Sequence, residues 1–245
     1  MPSPLISPEA LAARLGEPHL RICDVRWYLG KPDAGRAAYD TGHLPGAVFV
    51  DLDRDLAAPE GPGRHPLPDP AAVARRLGEL GIGDGDSVVA YDDAGGGVAA
   101  RLWWMLDNLG FRNVAVLDGG LPAWTAAGLP LSSDVVRLPP AQLTLADRWS
   151  RVIERDDLRD RLGSLVLLDA RAGERYRGEV EPVDAYPGHI PTAISAPTTA
   201  NLGPDGRFLP AGALRERYTV LLGGDGSAVV SSCGCGVTAC HNALA

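Results

Sequence analysis

The residues best able to do chemistry stand together near the end of the chain. Cys233 is followed by Gly234, Cys235, Gly236, Val237 and Thr238, and preceded by Val229, Val230, Ser231 and Ser232. A β-branched run ending in a cysteine, then alternating glycines, then Thr238 before an Ala/Leu segment gives the order strand, tight loop, helix N-terminus. Glycines at 234 and 236 let successive backbone N–H groups turn into one small bowl, with the positive end of the next helix behind it. A thiol at the mouth of such a bowl is favoured as the nucleophilic thiolate. The spacing points to Cys233 as a nucleophile acting on a small anion that the Gly234 to Thr238 backbone cradles. The bland alternative is a buried structural cysteine at a strand end.

Other chemistries use similar residues. A phosphatase of the Cys-x5-Arg kind needs arginine six positions after the cysteine, where this chain has Ala239, and a loop one residue longer. Cys233, Cys235, Cys240 and His241 are suitable metal ligands by type, but they share one local segment without a second ligand pair. The acidic run Asp51 to Asp55 lacks the central glycine and terminal glutamate of a calcium loop. No metal and no organic cofactor is expected.

The cysteine loop closes a script that the chain runs twice. In the first pass, Ser7 and Pro8 open a helix, and Leu20 to Arg26 forms a short strand ending in Asp24-Val25-Arg26. A Gly42-His43-Leu44-Pro45 turn leads into the strand Ala47 to Val50, and Asp69-Pro70 caps a helix reaching Leu80. Strand Ser87 to Tyr91 precedes a glycine loop and the helix Val98 to Leu109, and then come strand Val114 to Asp118 and a helix around Trp124. The second pass has a helix ending at Leu162, a strand ending in Asp169-Ala170-Arg171, a Gly188-His189-Ile190-Pro191 turn, a helix from Pro210 to Leu222, and the cysteine strand. The short, almost continuously apolar strands fit parallel sheets. The expectation is an α/β protein of two tandem units, residues 1–135 and 150–245, each a mostly parallel sheet flanked by helices. Residues 136–149, with Pro139-Pro140, are the expected linker.

Internal comparison also assigns roles. Asp92 stands where the second unit has Cys233, so the first unit is expected to be non-catalytic scaffold and the second catalytic. His43 and His189 occupy matching turns in both units, which makes them structural, as are the strand-end carboxylates Asp24 and Asp169. After Cys233 the second pass lacks a counterpart of Val114 to Trp124, so that unit is expected to be truncated at its C-terminus. That shortening motivates a rival reading, a non-catalytic binding module with an open sheet edge.

Composition bounds the partners. Of 245 residues, 31 are acidic and 23 basic, a formal charge of −8 that argues against nucleic acid and anionic membranes. An anionic substrate must then be drawn in by local cations. Four cysteines outside any spaced framework suit a reducing compartment. The N-terminus has neither the basic nor the apolar region of a secretion signal, and no apolar run spans a membrane, so a cytoplasmic place is expected. Oligomeric state is not readable.

Several motifs together resemble the two-domain rhodanese family, the thiosulfate and 3-mercaptopyruvate sulfurtransferases. They are Asp24-Val25-Arg26-Trp27-Tyr28, Gly42 to Ala47, Arg101 to Met105, Leu117-Asp118-Gly119-Gly120, Arg175-Tyr176-Arg177-Gly178 and Cys233 to Thr238. The resemblance implies two tandem rhodanese-like domains and a Cys233 persulfide, formed from an anionic sulfur donor and discharged to cyanide or a thiol. It implies Arg175 as donor anchor, beside Gly234, Cys235, Gly236, Val237 and Thr238 as the substrate cradle. The loop Cys-Gly-x-Gly-Val-Thr is similar to the mercaptopyruvate type, in which Cys235 takes the place of the usual serine. The proton-handling partners of that serine fall on Asp53 and His65. A second arginine expected shortly after Arg175 is not evident, Val183 occupying the region. Thiosulfate is therefore the first expectation as donor and 3-mercaptopyruvate the second.

Overall fold

The computed structural model describes residues 3–223 and 228–245. Met1, Pro2 and residues 224–227 lie outside that description, and with them the first two residues of the segment read for a secretion signal.

The first half follows the expected script. Strand β1 (Leu5–Ile6) leads to helix α1 (Pro8–Ala12), whose first turn is capped by the Ser7 hydroxyl accepting from the Ala10 N–H at 3.1 Å. Then follow β2 (Leu20–Asp24), α2 (Ala34–Thr41), β3 (Ala47–Phe49) and the short α3 (Leu52–Asp55). Next come α4 (Pro70–Glu79), opened by the Asp69 side chain and Pro70, then β4 (Ser87–Tyr91), α5 (Ala99–Asn108), β5 (Val114–Leu117) and α6 (Gly120–Ala126). The five strands form one parallel sheet in the order β1-β5-β4-β2-β3. Its central strands β2 and β4 are buried on both faces over residues 22–24 and 88–91, where helices cover the parallel sheet.

The second half contributes α7 (Arg155–Asp160), β6 (Val166–Asp169), α8 (Gly173–Arg177), β7 (Ile194–Ser195), a 3-10 turn (Thr198–Asn201), α9 (Ala211–Leu222), β8 (Val229–Ser232) and α10 (Ala239–Leu244). Among the described residues its sheet has three parallel strands, β7-β6-β8, with β6 central. Val229, on β8, is 48 % exposed. No helix of the described residues is long and apolar enough to cross a membrane.

The repeat extends to side chains. In each half a strand-end aspartate binds the arginine two residues on: Asp24 holds Arg26 at 2.6 Å, and Asp169 holds Arg171 at 2.7 Å. In each half a histidine stacks on a tyrosine and bonds its backbone carbonyl at 2.8 Å, His43 on Tyr39 and His189 on Tyr176. These are tethers between turn and helix, the structural role expected from their duplication.

The halves share apolar packing. One buried cluster joins Val50, Leu56, Val98, Leu102 and Leu106 of the first half to Phe208, Leu214, Val237, Cys240 and Leu244 of the second. The connecting residues 136–149 lie along the first half, where Ala141 donates to the Gly78 carbonyl and Ala146 to that of Leu109, each at 2.9 Å. Trp149 stacks on Trp104 and donates its indole N–H to the Pro68 carbonyl.

Candidate active site

Cys233 sits at the end of β8, where the ladder with β6 stops and the chain turns into the Gly234 to Thr238 loop. The Gly236 N–H points at its sulfur at 3.1 Å, and the backbone N–H groups of Cys235 and Ala239 face it as well. Gly236 has φ +78°, the left-handed conformation that turns its N–H back toward the strand end. The Cys235 thiol, followed by these N–H groups and the Thr238 hydroxyl, holds Cys233 well below the usual thiol range, against the effect of its burial. Of the four cysteines, Cys233 is thus the one whose surroundings favour the thiolate. Cys23 and Cys240 are buried and both pushed up to about 12 by desolvation. Cys235 is driven upward, first by its hydrogen bond to Cys233.

The equivalent loop of the first half shows what fills such a cradle when no thiolate does. Asp92, 1 % exposed, follows β4 as Cys233 follows β8. Its two carboxylate oxygens accept from the N–H groups of Ala94, Gly96, Val98 and Ala99 at 2.7 to 2.9 Å. The first cradle carries its own anion, which takes up these four N–H groups.

Two arginines stand over the cysteine loop. A Cβ at Gly234 would lie 2.6 Å from the Arg64 guanidinium, 2.8 Å from the Asp184 carboxylate and 3.6 Å from Arg175, so only glycine permits their approach. Arg175 binds Glu181 at 2.7 Å and Asp184 at 2.8 Å, and Arg64 pairs with the other oxygen of Asp184. Asp184 is therefore a carboxylate gripped between two guanidinium groups directly above the loop. Arg175 in turn holds the Glu181 carboxyl at about 2. The salt-bridge partners of Arg175 are thus Glu181 and Asp184, and the sequence neighbours Glu174 and Glu179 take no part.

Asp53 and His65 also come together here. His65 Nε2 lies 2.9 Å from one Asp53 oxygen, and the Trp27 indole donates to the other at 2.8 Å. Trp27 packs edge-on against the His65 ring at 5.1 Å. Burial lowers the His65 pKa, favouring neutral imidazole, and its buried Nδ1 has no partner. With Asp53 fixing the proton on Nε2, Nδ1 is left as an acceptor. Arg101, 3 % exposed, ties the parts together by donating to the carbonyls of Leu56, His65 and Gly236 at 3.2 to 3.3 Å.

His65, Arg101, Cys233, Cys235 and Gly236 line one cavity of about 690 Å³, which extends along β8 toward α7 and α10. Arg64 and Arg175 do not line it; they stand over Gly234. The ligand set considered for a metal is dispersed in use. Cys240 donates to the Gly236 carbonyl, and His241 stacks on Phe208 with Nε2 at the Gly95 carbonyl.

Sequence reasoning singled out Cys233, its loop, Arg175, Asp53 and His65, and missed Arg64, Asp184, Glu181 and Trp27 as site residues. The Arg64 signal was present: it directly precedes His65. Asp184 lies next to Val183, in the region where the family resemblance implies an arginine and not a carboxylate.

Comparison with known proteins identifies the family. Residues 7–127 match the rhodanese-like domain. The chain is 49 % identical to a probable 3-mercaptopyruvate sulfurtransferase of Pseudomonas aeruginosa, over 98 % of this chain and 87 % of that one. It is 43 % identical to the putative thiosulfate sulfurtransferase SseB of Mycobacterium tuberculosis, over 96 % of this chain and 84 % of the other. The crystal structure of SseA from Escherichia coli, a 3-mercaptopyruvate sulfotransferase, superposes with a TM-score of 0.82 at 30 % identity, covering 99 % of this chain and 92 % of that one. The chain belongs to the rhodanese family of sulfurtransferases.

Proposed function

We propose that the protein moves a sulfane sulfur from 3-mercaptopyruvate, with thiosulfate as a slower donor, through a persulfide on Cys233 to a thiol or cyanide acceptor. The Cys233 thiolate attacks the donor sulfur, the carbon–sulfur bond breaks, and its electron pair leaves on carbon as the enolate of pyruvate. The Gly234 to Thr238 backbone then carries the persulfide anion, and the acceptor attacks its outer sulfur. Family membership supports catalysis over a purely binding module.

The observation that carries the donor choice is Asp184, a carboxylate already held by Arg64 and Arg175 above the loop. Two guanidinium forks that grip one carboxylate suit a donor that carries one, and Asp184 is the group the donor would displace. The Asp53–His65 pair supports the same choice, because an enolate needs a proton and departing sulfite does not. This reverses the order of donors expected from the sequence, which had no second arginine to work with. Within this reading the first half is the scaffold that delivers Arg64, His65 and Arg101.

The test is intact mass with each donor, beside kcat/KM for both. Donor sulfur should appear either as roughly 32 Da, one sulfur atom, on the chain or as sulfide released from it, and Cys233→Ser should show neither. A sulfur gain that survives Cys233→Ser would overturn the assignment, and a kcat/KM favouring thiosulfate would overturn the donor order.

A further inference from the structure

The reaction just described uses the Cys235 thiol only as a hydrogen-bond donor to the resting Cys233 sulfur and gives it no part once the persulfide has formed. Resting on the Cys233 persulfide, we propose that Cys235 is a resolving thiol, which expels the carried sulfur as hydrosulfide and leaves a Cys233–Cys235 disulfide for an external dithiol to reduce.

The placement makes the step short. The two cysteines are separated by Gly234 alone, two peptide units of about 3.8 Å each. The hydrogen bond from the Cys235 thiol to the Cys233 sulfur brings the two sulfurs together, and a single intervening residue keeps the Cα atoms close to the 4.4–6.8 Å that a disulfide spans. Both side chains are half-buried on the wall of the same cavity, so a small leaving group has a way out. Gly234 adds no side chain between them. Arg64 lies against Cys235 and supplies positive charge where sulfur anions form and depart. The other two thiols are not placed to compete: Cys23 is buried in β2, and Cys240 is buried with its sulfur turned to the Gly236 carbonyl at 3.4 Å.

The step balances. Loaded Cys233 carries Sγ–Sδ⁻. The Cys235 sulfur attacks Cys233 Sγ, the Sγ–Sδ bond breaks with its electron pair going to Sδ, and the Cys235 proton ends on Sδ. A persulfide anion and a thiol become a disulfide and HS⁻. The sulfane sulfur is reduced to sulfide, and the two cysteines are oxidised to cystine. A dithiol restores both thiols by two exchanges and leaves as its own disulfide. A bridge across one intervening residue is strained, and strained bridges are reduced readily, which suits a transient intermediate.

The experiment uses the full chain, reduced, desalted and kept without oxygen or any acceptor. Thiosulfate and 3-mercaptopyruvate are each added at one equivalent, and mass and free sulfide are followed. Wild type should lose about 2 Da and release roughly one sulfide per chain, while Cys235→Ser, whose hydroxyl keeps a donor on the Cys233 sulfur, and Cys235→Ala, which loads more slowly, gain about 32 Da and release under a tenth as much. Wild type that keeps the added sulfur without releasing sulfide would overturn the resolving role, as would equal sulfide release by the Cys235 variants. Sulfur gain by the variants, absent in Cys233→Ser, keeps the persulfide reading standing in either case. No sulfur uptake by wild type or any variant would sink both.

Discussion

At the scale of single residues, the site sets one charge against another. Cys233 is stabilised as thiolate by donors around its sulfur, so its folded pKa lies below its unfolded one. The thiolate therefore persists as pH falls through the ordinary thiol range, near 8.5, and is lost only lower, through the folded pKa. Iodoacetamide should modify Cys233 at near-plateau rate at neutral pH, with a midpoint well below that value. A midpoint at or above 8.5 would contradict the cradle. Removing a gripping cation should be felt in binding. Arg175→Gln or Arg64→Gln should raise the KM for 3-mercaptopyruvate about 10- to 100-fold, the worth of a charged hydrogen bond, with a smaller effect on kcat. Asp184→Asn should act oppositely, lowering KM several-fold, because the donor no longer displaces a resident carboxylate. Steady-state kinetics on the three variants separates these outcomes, and a raised KM in Asp184→Asn would mean that Asp184 positions the arginines instead.

At the scale of elements, what could be read from the sequence was local. Strand ends, caps and turns depend on neighbours within a few residues, so Ser7, Asp69 and the paired Asp-x-Arg strand ends were legible. The cysteine loop was legible for the same reason. Arg64 was not, because it meets Asp184 across 120 residues, a contact set by how the two sheets dock and by no spacing. Asp53 and His65 came from family resemblance; Trp27, which orients Asp53, had no local signal. The loops themselves carry two predictions. Gly234→Ala should push Arg64 and Asp184 away and cut kcat/KM, measured beside unchanged circular dichroism. Asp92→Asn puts an amide where four N–H groups converge on a buried carboxylate. It should cost about 3 kcal/mol, lowering Tm by roughly 6–12 °C in calorimetry. A Tm within a degree of wild type would show that the charge there is dispensable.

At the scale of the molecule, the two copies of one script do not stand apart. Val237, in the Cys233 loop, and Leu244 of α10 pack in the same cluster as Leu102 and Leu106 of the first half. The half that carries Cys233 also has only three strands among the described residues, and much of its apolar surface rests on its neighbour. Heat should therefore remove activity and structure in one transition, with the loss of Cys233 alkylation tracking the calorimetric peak. Two resolved peaks would count against this. A separately expressed residue 150–245 fragment should show exposed apolar surface and no sulfur uptake.

That shared packing bears on what the duplication left behind. Two loops of common plan now differ in what occupies them: one closed permanently by its own aspartate, the other open to chemistry. Substitutions that look remote from the thiolate, such as those on α5, alter the reactive loop through direct contact. The first copy is the foundation on which the Cys233 loop rests, so under the proposed function its freedom to drift is limited by a reaction assigned to the second.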